Sequence, residues 1–166
     1  ADNANLKTSI FNIYHFDRKV FQNAQFVILL PIASIIKDKT MSKVNLIQPE
    51  KVNLKDHPIL TESWLQDLIA ENPEIIGLGD LILKDKERKQ VRAGRLDILL
   101  QDSEINKRYE VEIQLGKTDE SHIIRTIEYW DIERKRYPQY DHTAVIIAED
   151  VTSRFLNVIS LFNGFI

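Results

Sequence analysis

The chain has 166 residues, 43% of them apolar and 28% charged; that balance fits one globular domain with its own core and excludes a disordered or collagen-like polypeptide. It has no cysteine, which removes disulfide scaffolds, cysteine nucleophiles and thiolate zinc sites. The formal net charge of −3 gives no bulk attraction for polyanions, so a nucleic-acid partner would need a local basic patch or a metal.

Residues 1–40 carry Lys7, Arg18, Lys19, Lys37 and Lys39 against Asp2, Asp17 and Asp38, a net of +2, which leaves an acidic remainder. The most apolar run, Phe26 to Ile36, contains Pro31 and is far shorter than the roughly 20 residues a spanning helix needs. No small-residue cleavage pattern follows it. No membrane partner is expected, and a cytoplasmic location is the default. Met41-Ser-Lys-Val reads as a natural start, with 1–40 an extension of uncertain status; a hairpin or helix packed on the domain is the equal alternative. Residues 41–60, with Pro49 and Pro58, read as an irregular arm. The domain proper is assigned to 61–166, and the natural protein is expected to continue past Ile166.

Thr61 is a suitable N-cap for a helix in which Trp64, Leu65, Leu68 and Ile69 recur at helical spacing, with Glu62 in its first turn. Asn72-Pro73 stops it. Ile75 to Lys84 reads as a first strand, Lys84 to Arg92 as a charged turn, and Gly94 to Leu100 as a second strand. Arg108 to Leu115 is a third strand with strict alternation. Tyr109, Val111, Ile113 and Leu115 take one face; Glu110, Glu112 and Gln114 take the other. Gly116 ends it, and Thr118 is expected to cap a long helix whose stripe is Ile123, Ile124, Ile127 and Trp130. Arg134, Lys135 and Arg136 lie in its last turns and Pro138 closes it. Thr143 to Ala148 reads as a buried parallel strand. Asp150 or Thr152 then caps a last helix with Phe155, Leu156, Ile159 and Phe162 inward. Short connections make the first three strands an antiparallel meander, and the fourth, joined across a helix, should be parallel to one of them. The fold class is α/β, a mixed four-stranded sheet flanked by helices in the order αβββαβ.

The third strand is where chemistry is expected. Two acids on one face of a central strand are costly unless they are paired or bind a metal. Asp97, set among Leu96, Ile98, Leu99 and Leu100, needs a partner too. Antiparallel pairing would bring it near Glu112, and such hard oxygen ligands suit Mg²⁺ or Mn²⁺. The competing readings are a solvated strand face for Glu110, Glu112 and Gln114, and an ordinary ion pair of Asp97 with Arg95 or Arg108.

The text Thr61-Glu62, Glu71-Asn72-Pro73-Glu74, Gly94-Arg95-Leu96-Asp97-Ile98-Leu99 and Tyr109-Glu110-Val111-Glu112-Ile113-Gln114-Leu115-Gly116 resembles the PD-(D/E)XK nuclease superfamily, most closely its RecB-like and NucS-like branch. The resemblance implies a restriction-endonuclease-like core and metal-dependent hydrolysis of phosphodiester bonds in DNA. It makes Asp97 and Glu112 the metal-binding carboxylates, with the carbonyl of Ile113 as a further ligand. Glu62 matches a helix acid that some branches place near the metal; simple complementation of the helix dipole is the alternative. Reading the motif from Glu110 would displace every assignment by two.

Three departures stand out. Leu96 replaces the usual proline. Gln114 stands where lysine is usual and, having no titratable group, can orient a water but not deprotonate it. Arg125 occupies the place of a glutamine four residues before Tyr129; it would contact a phosphate, or pair with Glu120 or Glu128. Lys117 is a substitute cation. Arg95, Lys117, Arg125 and Tyr129 are thus the candidate substrate contacts, with Lys84 to Arg95 as a basic edge. DNA is the expected partner, RNA the second choice, and a homodimer through Phe155, Leu156, Ile159 and Phe162 a further option. The rival function is a catalytically inactive nuclease-fold domain that binds nucleic acid or mediates assembly. His15, His57, His122 and His142 show no metal-ligand spacing, and Trp64 and Trp130 read as core.

Overall fold

The computed structural model describes the backbone of residues 11–13, 26–31, 34–36 and 49–165, and the side chains of 52–162. Met41 lies outside the described residues. Helix α1 (Glu62–Glu71) starts where the sequence places it: the Thr61 side chain accepts from the Trp64 N–H, and Asn72 ends the helix before Pro73. A 3₁₀ turn, Pro73–Ile76, follows, and Gly77 leaves it at φ +71°. Proline fits the first position of such a turn because its missing N–H has no partner there. Ile75 and Ile76 are therefore not strand residues, as periodicity alone had suggested.

The first long strand, β5 (Leu81–Gln90), begins later and runs through the whole charged segment expected to be a turn. Its charges are tolerated because β5 is the edge of the sheet, where charged side chains stay in water and discourage pairing with other chains. The turn is confined to residues 91–93. Strands β6 (Gly94–Asp102) and β7 (Lys107–Lys117) complete the antiparallel meander. Helix α2 (Glu120–Arg136) crosses to β8 (Asp141–Asp150), which lies parallel to β7. Helix α3 (Ser153–Phe165) closes the chain, with the Thr152 carbonyl accepting from the Leu156 N–H.

Four upstream strands join these: β1 (Phe11–Ile13), β2 (Phe26–Pro31), β3 (Ser34–Ile36) and β4 (Pro49–Lys51). β2 runs parallel to β8, so the four-stranded mixed sheet expected from the sequence continues into six, in the order β1-β2-β8-β7-β6-β5. β3 and β4 form a separate antiparallel pair, which gives the arm over 41–60 a short strand.

Alternation in β7 and β8 divides the core into two layers. Val111, Ile113, Val145 and Ile147 pack with Leu65 and Ile69 of α1, while Ala144, Ile146 and Ala148 pack with Ile123 and Trp130 of α2 and with Phe155 and Ile159 of α3. Fully burying one such aliphatic side chain contributes about 1.5–3 kcal/mol. Phe155 and Ile159 are buried in this layer, with Leu156 packed partly against it, and Phe162 is half-buried. Trp130 is a core residue whose indole donates to the His142 carbonyl, and Trp64 packs half-buried against the core. No helix among the described residues is long and apolar enough to cross a membrane.

Candidate active site

Glu110 and Glu112, on the α2 side of β7, are 0% and 2% exposed, which rules out the solvated-face reading. They have separate destinations. Glu110 Oε1 lies 2.7 Å from Nδ1 of His142, whose Nε2 reaches the Tyr137 carbonyl at 3.0 Å. Burial raises the Glu110 carboxyl, and the carboxylate raises His142 in spite of its own burial. Glu110 is thus committed to a pair with His142, while Glu112 is left to face Asp97.

At Glu112 the sheet opens. The β6–β7 pairing extends only to Ile98 opposite Val111. One step further, side chains replace the backbone ladder: the Ile113 N–H donates to Asp97 Oδ2 at 2.8 Å, and the Asp97 N–H donates to Glu112 Oε1 at 3.3 Å. The two carboxylates meet where the strands part. Neither Arg95 nor Arg108 pairs with Asp97; Arg95 is exposed and bridges Glu87 at 3.4 Å, and Arg108 stacks on the rings of Tyr137 and Tyr140.

Burial pushes the Asp97 carboxyl up to about 6, with the charge of Glu62 adding to it and Arg125 opposing it. Glu112 is pushed up to about 8, first by burial and then by Asp97. The field of Glu62 reaches both, so α1 delivers its first-turn acid towards the pair. Arg125 Nη2 lies 3.4 Å from Glu112 Oε2, in place of the expected partners Glu120 or Glu128. Its Nε is buried without an acceptor. These are carboxylates with too little positive charge around them.

Gln114 is held at both ends. Its Nε2 donates to Asp119 Oδ2 at 3.3 Å, and its Oε1 accepts from the Asp119 N–H at 3.2 Å. Asp119, not Thr118, is the N-cap of α2. β7 runs on to Lys117 past Gly116 at φ +80°, and the Thr118 N–H is taken by the Asp150 carbonyl. Asp119 Oδ1 accepts from the His122 N–H, from Ser121 Oγ and from His122 Nδ1 at 2.8 Å. These bonds hold its carboxyl well below the usual range.

Asp97, Glu112, Ile113 and Arg125 therefore meet, with Gln114 two residues along the strand; Glu62 acts on the pair through its charge and forms no three-acid group with it. Arg95 and Lys117 do not join them; Tyr129 lies within the field of Glu112 and Arg125 but spends its hydroxyl elsewhere. Lys117 is exposed, its backbone opposite Asp150. Tyr129 is 1% exposed and its hydroxyl donates to the Ala93 carbonyl at 2.9 Å, so it packs the β5–β6 turn. Asp119 and His122 were missed; the signal was an aspartate three residues before a histidine at a helix start, ambiguous between a cap and a site.

No family model and no curated protein matches the sequence. Among solved structures, the fold is similar to that of a repair endonuclease from Pyrococcus abyssi, at 22% identity and a TM-score of 0.50, covering 61% of this chain and 43% of that one. A structure of an EndoMS–dsDNA2 complex is 19% identical with a TM-score of 0.49, covering 80% of this chain and 64% of that one. The chain spans less than two thirds of either. What the first likeness shows is the fold: an α/β fold shared with that endonuclease, with the mixed sheet between helices. The αβββαβ core read from the sequence is the part that carries Asp97 and Glu112.

Proposed function

We propose that the chain is a metal-dependent nuclease of the PD-(D/E)XK kind that hydrolyses phosphodiester bonds in DNA. The observation that carries this reading is the meeting of Asp97 and Glu112 where the β6–β7 ladder ends, Glu112 buried and Asp97 half-buried, with both carboxyls raised. A divalent cation relieves that situation. The donors fit Mg²⁺ or Mn²⁺: two carboxylates and the Ile113 carbonyl are hard oxygens. Mg²⁺ usually takes one or two carboxylates and keeps its remaining positions for water and phosphate. Among the described residues no third acid or histidine joins the two carboxylates to make a group that could hold a metal, so the remaining positions would fall to the Ile113 carbonyl, water and phosphate. When bound, such an ion lowers the pKa of a coordinated water and stabilises charge on the phosphate.

The chain's own residues do the rest. Asp97 and Glu112 hold the cation site, and Glu62 adds negative charge from α1. Arg125 has guanidinium donors beyond the one facing Glu112, and its buried Nε lacks an acceptor, which suits a phosphate oxygen. Lys84, Lys89 and Arg92 are exposed along β5 and its turn, without an ion pair among the described residues, and would follow the DNA backbone. Lys86 and Arg88 are occupied by Asp67 and Glu133.

The test is cleavage of single- and double-stranded DNA, with RNA for comparison, in Mg²⁺ or Mn²⁺. Wild type should cleave, and Asp97→Ala and Glu112→Ala should each abolish it. Cleavage surviving both substitutions overturns the assignment. A second reading, a nucleic-acid-binding domain without turnover, is favoured by the locking of Gln114 onto Asp119. Salt-sensitive binding with no cleavage in either metal would support it.

A further inference from the structure

The usual lysine is absent and Gln114 cannot take a proton, yet Gln114 leads directly to a residue that can. Its amide clamps Asp119 from one side, and Asp119 clamps His122 from the other. The Asp119 carboxylate is acceptor-only, so the His122 nitrogen 2.8 Å away must carry its proton at Nδ1. In the neutral ring this leaves a lone pair on Nε2, the tautomer an oriented histidine base requires. The ring is 21% exposed, so water and substrate can reach it. It lies one helical turn before Arg125, whose guanidinium is 3.4 Å from Glu112, and on the cap that Gln114 holds two residues beyond Glu112. The charged groups nearest it are Asp119 at its own helix cap and Arg125 one turn on, with Asp97 of β6 within reach of its field.

We propose that His122 is the proton-transfer residue of this site, with Asp119 and Gln114 as positioning residues that take over the role of the missing lysine. The inference rests on the nuclease reading above. In the step it implies, Nε2 of His122 takes a proton from the attacking water as the water oxygen forms a bond to phosphorus. The bond from phosphorus to the leaving sugar oxygen breaks, its electron pair stays on that oxygen, and solvent supplies the proton there. The imidazolium then returns its proton to solvent.

Two measurements on the full chain test this. In the metal-free protein, ¹⁵N spectra of the imidazoles, assigned with His122→Asn, should show Nδ1 protonated and Nε2 unprotonated for His122, and Asp119→Asn should abolish that preference. An Nε2–H tautomer in wild type overturns the proposal irrespective of any activity. In the cleavage assay, His122→Ala should lower kcat by about 10²–10⁴-fold and lose the acid limb of the pH–rate profile, and added imidazole should restore part of the rate. If His122→Ala cleaves like wild type with an unchanged pH profile while Asp97→Ala is dead, this inference fails and the nuclease reading stands. If wild type does not cleave in either metal, the nuclease reading fails and takes the inference with it.

Discussion

Asp97 and Glu112 are joined by a bond that is neither a salt bridge nor part of the sheet ladder: the backbone N–H of Asp97 donates to the carboxylate of Glu112 at 3.3 Å. Each residue is thereby oriented by the other's strand. The two carboxyl groups are held together by backbone geometry, with the Arg125 guanidinium 3.4 Å from Glu112.

That arrangement sets a pH dependence for the metal-free protein. The Glu112 carboxyl rises from 4.5 to about 8 on folding, so between those values the folded state holds a proton that the unfolded state has released. Stability is then fully present below the unfolded value and is lost as pH rises towards 8. Glu112→Gln should remove this loss. At pH 8 its melting temperature should exceed wild type by at least about 2–4 °C, the equivalent of ~1 kcal/mol for a chain of this size. The gap should close near pH 4.5, and differential scanning calorimetry across that range checks it.

Mg²⁺ or Mn²⁺ should reverse the penalty. Binding to the folded state alone stabilises by about 2.7 kcal/mol at a hundredfold excess over Kd. The shift should be larger at pH 8 than at pH 6, because the ligands must be deprotonated. Asp97→Asn should abolish it, as read by thermal shift with and without the cation.

The αβββαβ order and the α1 boundaries were legible because they rest on local periodicity and capping chemistry, and the approach of Asp97 to Glu112 because a short turn forces their strands to pair antiparallel. The strand β5 was not legible. Lys84 to Lys89 alternates charge rather than hydrophobicity, and only its position at the sheet edge, a tertiary fact, makes it a strand. The cap at Asp119 was missed for a similar reason. Thr118 is as good a cap chemically, and the choice is made by the pairing of β7 with β8 out to Lys117. Arg125 was read as a phosphate contact or a surface pair. Its partner Glu112 is far along the chain in a different element, beyond the reach of helical spacing rules.

Tyr129 separates packing from binding. Tyr129→Phe should cost about 1 kcal/mol through the lost bond to Ala93 and leave DNA affinity unchanged, as measured by denaturant unfolding and fluorescence anisotropy. Gly94→Ala should cost more, about 1–3 kcal/mol. Its φ is +108°, and an added Cβ would lie 2.6 Å from the Tyr129 hydroxyl.

Glu149 secures the segment before α1. Its carboxylate accepts the N–H groups of Leu54, Lys55 and Gly116. Glu149→Ala leaves these donors without their acceptor and should destabilise by about 1–3 kcal/mol. Hydrogen exchange should show faster exchange at 54 and 55 before any change in the meander.

The opening of the β6–β7 ladder at Asp97 also fixes a tolerance. The cleft is gauged by two rigid strands and not by a loop, so the spacing of its acids cannot adapt to a longer side chain. Asp97→Glu keeps the charge and the donor type, yet pushes the carboxylate about one methylene past the Ile113 N–H that positions it. A conservative exchange at this position should therefore be nearly as damaging to cation binding as removing the acid altogether.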